Sequence, residues 1–244
     1  GQKVAGLLTE QQCADLTNFE GNAQALRVLT KLHYFIDEHG MNLTHALLNT
    51  IIKYPVPSTG IDRSSGDIKT KKMGYFAAEQ ELYRSIVSST GADGCRYPLT
   101  WLLEAADDIA YKTADIEDAQ RKGLISYNTL LSELTSQKFA DQCRTGAERE
   151  ILSTAAEKLR HYLAKALENN MPSPEENAVQ NCMVRIQSML INAAADAFIE
   201  HYDEIMNGEL KSELLALSPA RVLADALGDI AMRYAFRSKE ILRI

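Results

Sequence analysis

Residues 99–122 read LTWLLEAADDIAYKTADIEDAQRK, with Pro98 before them and Gly123 after. Proline is tolerated in the first turn of a helix and glycine is a common stop, so the two bracket one long helix. Inside the segment, Leu102, Ala105, Ile109 and Ile116 recur at helical spacing, as a buried apolar stripe requires. Taking Asp107 as zero, Asp118 lies about 20° away around the helix, Tyr111 about 40°, Glu104 about 60° and Asp115 about 80°. Four carboxylates and a tyrosine therefore share a second stripe. A solvated acidic face produces this spacing. So does a site in which a carboxylate holds a divalent cation, since oxygen ligands suit Mg²⁺ or Mn²⁺ and a bound cation offsets the mutual repulsion. Spacing alone leaves both readings open.

The same periodicity extends outward in both directions. Ala23–Phe35 is an amphipathic pattern that Gly40 can stop. Leu43–Ile52 follows, with Thr44 or Asn42 available as its cap. From Pro55 to Gly74 the chain holds two prolines, three glycines and the basic run Lys69, Lys71, Lys72, which predicts a long loop of the kind that often carries function. Helices are expected at Glu79–Ser88, Tyr127–Leu134, Ala147–Glu168, Glu175–Met206 and Pro219–Phe236, with Asn169–Pro174 separating two of them. No segment alternates like a strand and no internal repeat is visible. The expected architecture is all-α: one multi-helix domain over 1–244, with sub-lobes 1–145 and 146–244 as its natural division.

Composition excludes some function classes. A net charge of −7 gives a surface that repels nucleic acid on average, so a nucleic-acid partner is not indicated. The four cysteines, Cys13, Cys95, Cys143 and Cys182, form no CxxC pair, which fits reduced thiols better than a zinc site or a disulfide framework. No apolar run reaches the ~20 residues of a membrane span and no signal peptide is apparent, so no membrane partner is expected and the cytoplasm is the expected address. Phosphate-binding GxxxxGK[ST] and GxGxxG loops, a GxSxG elbow and a HExxH motif are all absent. His33, His39, His45, His161 and His201 are followed by Tyr, Gly or Ala, and none has the neighbours of a metal ligand.

The identities of the residues add what spacing does not. Arg96-Tyr97-Pro98-Leu99-Thr100-Trp101-Leu102-Leu103-Glu104-Ala105-Ala106-Asp107-Asp108-Ile109-Ala110-Tyr111, continuing to Asp115-Ile116-Glu117-Asp118, closely resembles a signature of the bacterial deoxyguanosinetriphosphate triphosphohydrolases, a family of HD-domain phosphohydrolases. Three further blocks resemble the family in the same order. They are Phe19-Glu20-Gly21-Asn22-Ala23-Gln24, Asn42-Leu43-Thr44 leading to Ile52-Lys53-Tyr54-Pro55, and Lys71-Lys72-Met73-Gly74-Tyr75-Phe76-Ala77-Ala78-Glu79. The resemblance covers residues 19–118, with a weaker helical likeness as far as Ser238.

The resemblance implies an HD-superfamily-like helical domain and an enzyme that cleaves a deoxynucleoside triphosphate to the deoxynucleoside and intact triphosphate. It implies a Mg²⁺ or Mn²⁺ cofactor and a homo-oligomer. Residue by residue, Asp107 matches a metal-ligating aspartate, Tyr111 and Asp115 match residues that line the sugar, and Lys72 matches a phosphate contact. The family's metal-binding histidine, its His-Asp pair and its catalytic histidine and glutamate precede the block that Phe19 begins. The eighteen residues before Phe19 contain no histidine. No catalytic residue is therefore assigned in this chain. It is expected to be an internal piece of a larger hydrolase that alone neither retains the metal nor turns over. The alternative is a degenerate helical relative that senses nucleotides or binds partners.

Overall fold

The computed structural model describes residues 6–33 and 40–237. Its helices, in chain order, are α1 (Glu10–Thr17), α2 (Gly21–Arg27), α3 (His45–Ile51), α4 (Gln80–Thr90), α5 (Pro98–Arg121) and α6 (Tyr127–Leu134). They continue with α7 (Gln137–Ala140), α8 (Gly146–Glu168), α9 (Pro174–Glu200), α10 (Tyr202–Met206), α11 (Leu214–Leu217) and α12 (Arg221–Ala231). Both α2 and α12 pass into a π-helical turn, Val28–Leu32 and Met232–Phe236. No strand occurs among the described residues, so the all-α expectation is met.

Local chemistry sets most boundaries. Thr44, not Asn42, caps α3, its hydroxyl accepting from the Leu47 amide at 3.3 Å. Thr145 and Glu148 form a reciprocal capping box at the start of α8. Gly123 takes φ +70° just beyond α5, a conformation that costs glycine nothing. Residues 55–74 are the expected loop, broken by the single 3₁₀ turns Ser58–Gly60 and Ile68–Thr70. The expected helix 23–35 is observed as α2 and its π turn. Its last two residues and His39 lie outside the described residues.

One helix differs clearly from expectation. The stretch 175–206 does not run through: α9 stops at Glu200 and α10 is separate. By length and composition alone α9 is apolar enough to cross a membrane, contrary to the expectation that no run qualifies. Here its face of Ala178, Cys182, Met183, Ile186, Leu190 and Ala197 is buried, and it packs along α8.

The chain divides into two compact units, and the division falls inside α5, not at residue 145. One unit comprises Gly1–Glu104 with His201–Ser212. In it α3 packs against α2 and α4 around Leu26, Leu48, Ile52, Tyr75, Tyr83 and Ile86, with the Tyr75 and Tyr83 rings stacked at 4.0 Å. The other unit comprises Ala105–Glu200 with Glu213–Ile244. There α8 and α9 form a hairpin onto which α6, α11 and α12 pack. The α5 segment in this unit is tied to α9 through the fully buried Thr113, whose Oγ1 accepts from Gln187 Nε2 at 2.7 Å.

Candidate functional site

The start of α5 is rigidly placed. Buried Thr100 donates to the Asn49 and Thr50 carbonyls at 3.3 and 2.9 Å. Arg96, only 2% exposed, donates to the Lys53 carbonyl at 2.6 Å and lies 4.9 Å from the centre of the Trp101 ring. Beyond this anchor the helix is amphipathic as its sequence predicts. Ala105, Ile109, Thr113, Ile116 and Ala119 are buried, while Leu102 is only half-buried.

The acidic stripe separates into members with different surroundings. Glu104 pairs with Lys53 at 3.4 Å, both nearly buried, and is thereby accounted for within its own unit. Asp107 is half-buried and Tyr111 is 65% exposed. Asp118 is exposed, with Lys122 at 3.9 Å. Asp115 is half-buried; burial chiefly, and then the charge of Asp118, push its carboxyl above the usual range, against the opposing pull of Lys122. Its neighbour Glu117 is raised as well, again mainly by burial. On the flank, Asp108 pairs with Lys112. Among the described residues no three His, Cys, Asp or Glu side chains converge to hold a metal ion. Asp107 can offer one oxygen donor or a bidentate pair, short of the three or so protein ligands of an open catalytic site, so the residues present do not by themselves fit a metal.

Lys72 belongs to the other unit. Its ammonium pairs with Glu20 at 3.0 Å, and Glu20 also accepts from Asn22 at 2.9 Å. Lys72, Lys71 and Arg63 line an open hollow of about 440 Å³ beside Gly66 and Asp67, with Lys69 paired to Asp67 at 3.5 Å. This is a setting that attracts phosphate.

The blocks at 19–24, 52–55 and 71–79 form one folded piece. Phe19 and Phe76 are 5.7 Å apart, and Ala23 packs with Met73 and Phe76. Arg27 makes a bidentate pair with fully buried Glu79 while lying 4.4 Å from the centre of the Phe76 ring. Gly74 donates to Val56 at 3.0 Å and sits so close to Tyr54 that a Cβ would fall 1.8 Å from its carbonyl oxygen. Sequence reading missed Glu20, Asn22, Lys53 and the Arg27–Glu79 pair, although all but Glu79 lie in or beside the first two blocks. His45 Nδ1 meets Ser89 Oγ at 2.6 Å, and His201 lies 3.3 Å from Glu204.

Against known proteins, the chain is 37% identical over 242 residues, 99% of its length, to a deoxyguanosinetriphosphate triphosphohydrolase-like protein of Listeria monocytogenes. The chain is a homologue of the deoxyguanosinetriphosphate triphosphohydrolase-like proteins. It is 30% identical over 243 residues to one from Pseudomonas aeruginosa, covering 95% of this chain. It is 29% identical over 249 residues, 99% of this chain, to the deoxyguanosinetriphosphate triphosphohydrolase of Yersinia enterocolitica. The chain spans about half the length of these relatives, between 46% and 49%. No protein-family model matches it.

Proposed function

We propose that the whole protein in which this stretch works is a metal-dependent deoxynucleoside triphosphate triphosphohydrolase, converting dGTP or another dNTP and water to the deoxynucleoside and triphosphate. The observation that supports this reading is the 37% identity over 99% of the chain, α5 included, to a protein named as deoxyguanosinetriphosphate triphosphohydrolase-like. A bound Mg²⁺ or Mn²⁺ would supply charge neutralisation at the phosphates, and Asp107 is the residue here that would contribute to holding it. The remaining ligands would come from outside the described residues. Tyr111, with its ring exposed, offers a flat wall to a deoxyribose, and Asp115 offers an acceptor to a sugar hydroxyl. In the other unit, Lys72 and its basic hollow offer a contact for phosphate. The assembly is proposed to be a homo-oligomer acting in the cytoplasm.

A second reading, a helical nucleotide-binding relative without turnover, draws on the absence of a three-ligand cluster among the described residues. One experiment separates the two. In a subunit of the relatives' length that contains this stretch, Asp107→Asn should lower dGTP hydrolysis with Mn²⁺ by roughly a thousandfold or more, and Tyr111→Ala should chiefly raise KM and admit ribonucleotides. Near-normal turnover in Asp107→Asn refutes the assignment. Absence of turnover in the unsubstituted subunit favours the second reading.

A further inference from the structure

The second unit contains a cavity that the triphosphohydrolase reading does not use. It has a volume of about 330 Å³ and lies along α8, floored by Leu134, Cys143, Leu152 and Ala156, all at most 7% exposed. Burial pushes the Cys143 thiol up, so it stays neutral and adds to the apolar floor. The size is at the low end for small-molecule sites, roughly 300–1,000 Å³.

Three polar features at its wall go unused by the fold. Ser136 occupies the N-cap position of α7 but makes no capping bond, whereas Thr9, Thr44, Ser126 and Thr145 all cap with their hydroxyls. The Ser136 hydroxyl is instead buried at the cavity without a hydrogen-bond partner. A buried hydroxyl left unmet costs about 1–3 kcal/mol, which a ligand atom can relieve. Arg149 and Arg160, both exposed, also line the cavity, and neither pairs with a carboxylate among the described residues. This contrasts with Arg27, Arg221 and Arg233, each held in an ion pair. Eleven residues apart, the two arginines stand about 16 Å apart along the axis of α8, so one anionic group engages one of them. Glu157 is the single carboxylate against these two cations.

We infer that this cavity binds a small organic anion with an apolar body, the body lying on the Leu134–Leu152–Ala156 floor and the anionic group accepting from an arginine and from Ser136. The inference is independent of the triphosphohydrolase reading and is tested on this chain alone. Titrate the chain calorimetrically with 2-naphthoate, with the neutral isostere 2-naphthalenemethanol and with the cationic 2-naphthylmethylamine. Naphthoate should saturate below about 1 mM and bind at least roughly tenfold more tightly than the alcohol, the margin of a charge-assisted hydrogen bond. The Arg149→Gln/Arg160→Gln variant should lose that margin. Ser153→Phe should weaken all binding by filling the cavity from its exposed edge, and Ser153 is exposed enough to accept the ring without a folding cost. Equal binding of alcohol and acid, preference for the amine, or unchanged naphthoate affinity in either variant overturns the inference.

Discussion

Removing Arg27 should unfold the first unit far more easily than its partly exposed position suggests. Glu79 is wholly buried and accepts from Arg27 at 3.1 and 2.9 Å, with Lys31 at 3.3 Å as its other cation. Arg27→Met keeps an unbranched apolar stem but leaves the carboxylate with Lys31 alone, whose side chain is 48% exposed. Breaking a buried pair from one side costs about 3–5 kcal/mol, and the retained lysine brings the expectation to the lower end, about 3 kcal/mol. That is roughly a hundredfold or more in the folding equilibrium. With a urea slope of roughly 1–3 kcal/mol/M, the midpoint should fall by at least about 1 M at unchanged slope. The assay is specific to this unit because the chain's one tryptophan, Trp101, is 3% exposed and lies within it. The double variant Arg27→Met/Glu79→Leu should recover most of the loss, since the cost lies in the stranded charge more than in the missing contact. A single-variant cost below about 1 kcal/mol, or a double variant as unstable as the sum of its singles, refutes this account of the pair.

Three further outcomes follow from the structure. Gly74→Ala should cost at least about 2 kcal/mol by the same fluorescence assay, because the new Cβ meets the Tyr54 backbone oxygen and no flexible side chain can give way. Asp115→Asn should raise the melting temperature at pH 7: a carboxyl held above its ordinary range in the fold opposes folding once ionised, so the gain should vanish near pH 3. Glu133 and Asp229 are held below 4.5 and 3.8, chiefly by hydrogen bonds from Arg233 and Lys138 respectively, so their contribution is present above those values and lost as pH falls through the folded ones. Arg233→Gln should therefore flatten the acid limb of stability below about pH 4.5.

How much of this was legible in the sequence depended on whether the signal was local. Pro98 and Gly123 bounded α5 to within two residues, and 127–134 was read at its observed limits. The helix α1 was not read, although Thr9 and Gln12 form a capping box that announces it. The break at His201 had no local cue. Apolar residues continue at helical spacing through Phe198, Tyr202 and Ile205, so the interruption belongs to tertiary packing. The candidate site divides in the same way. The stripe of Asp107, Tyr111 and Asp115 follows from helical arithmetic, but Glu104 with Lys53 and Lys72 with Glu20 join residues about fifty positions apart. No periodicity records such a pairing.

The two readings of the acidic stripe make different physical demands, and α5 can be held against both. A stripe selected for solubility should be uniformly exposed, with carboxylates at or below their ordinary range and with polar groups between them. Asp118 has the exposure such a stripe asks for and lies close to Lys122. Asp115 does not, because it is half-buried and its charged form is disfavoured by its surroundings. Tyr111 does not either: a large ring 65% exposed on the same stripe contributes little to folding and adds apolar surface beside the carboxylates. A fold that retains a disfavoured carboxylate next to an unburied ring gives up stability there, as binding sites commonly do. A ligand that brings a donor to Asp115 and a flat face to Tyr111 would offset both costs. If so, Asp115→Asn should stabilise the free chain and weaken its hold on a deoxynucleoside, two effects of opposite sign from one substitution. A solvated acidic face has no reason to produce the second.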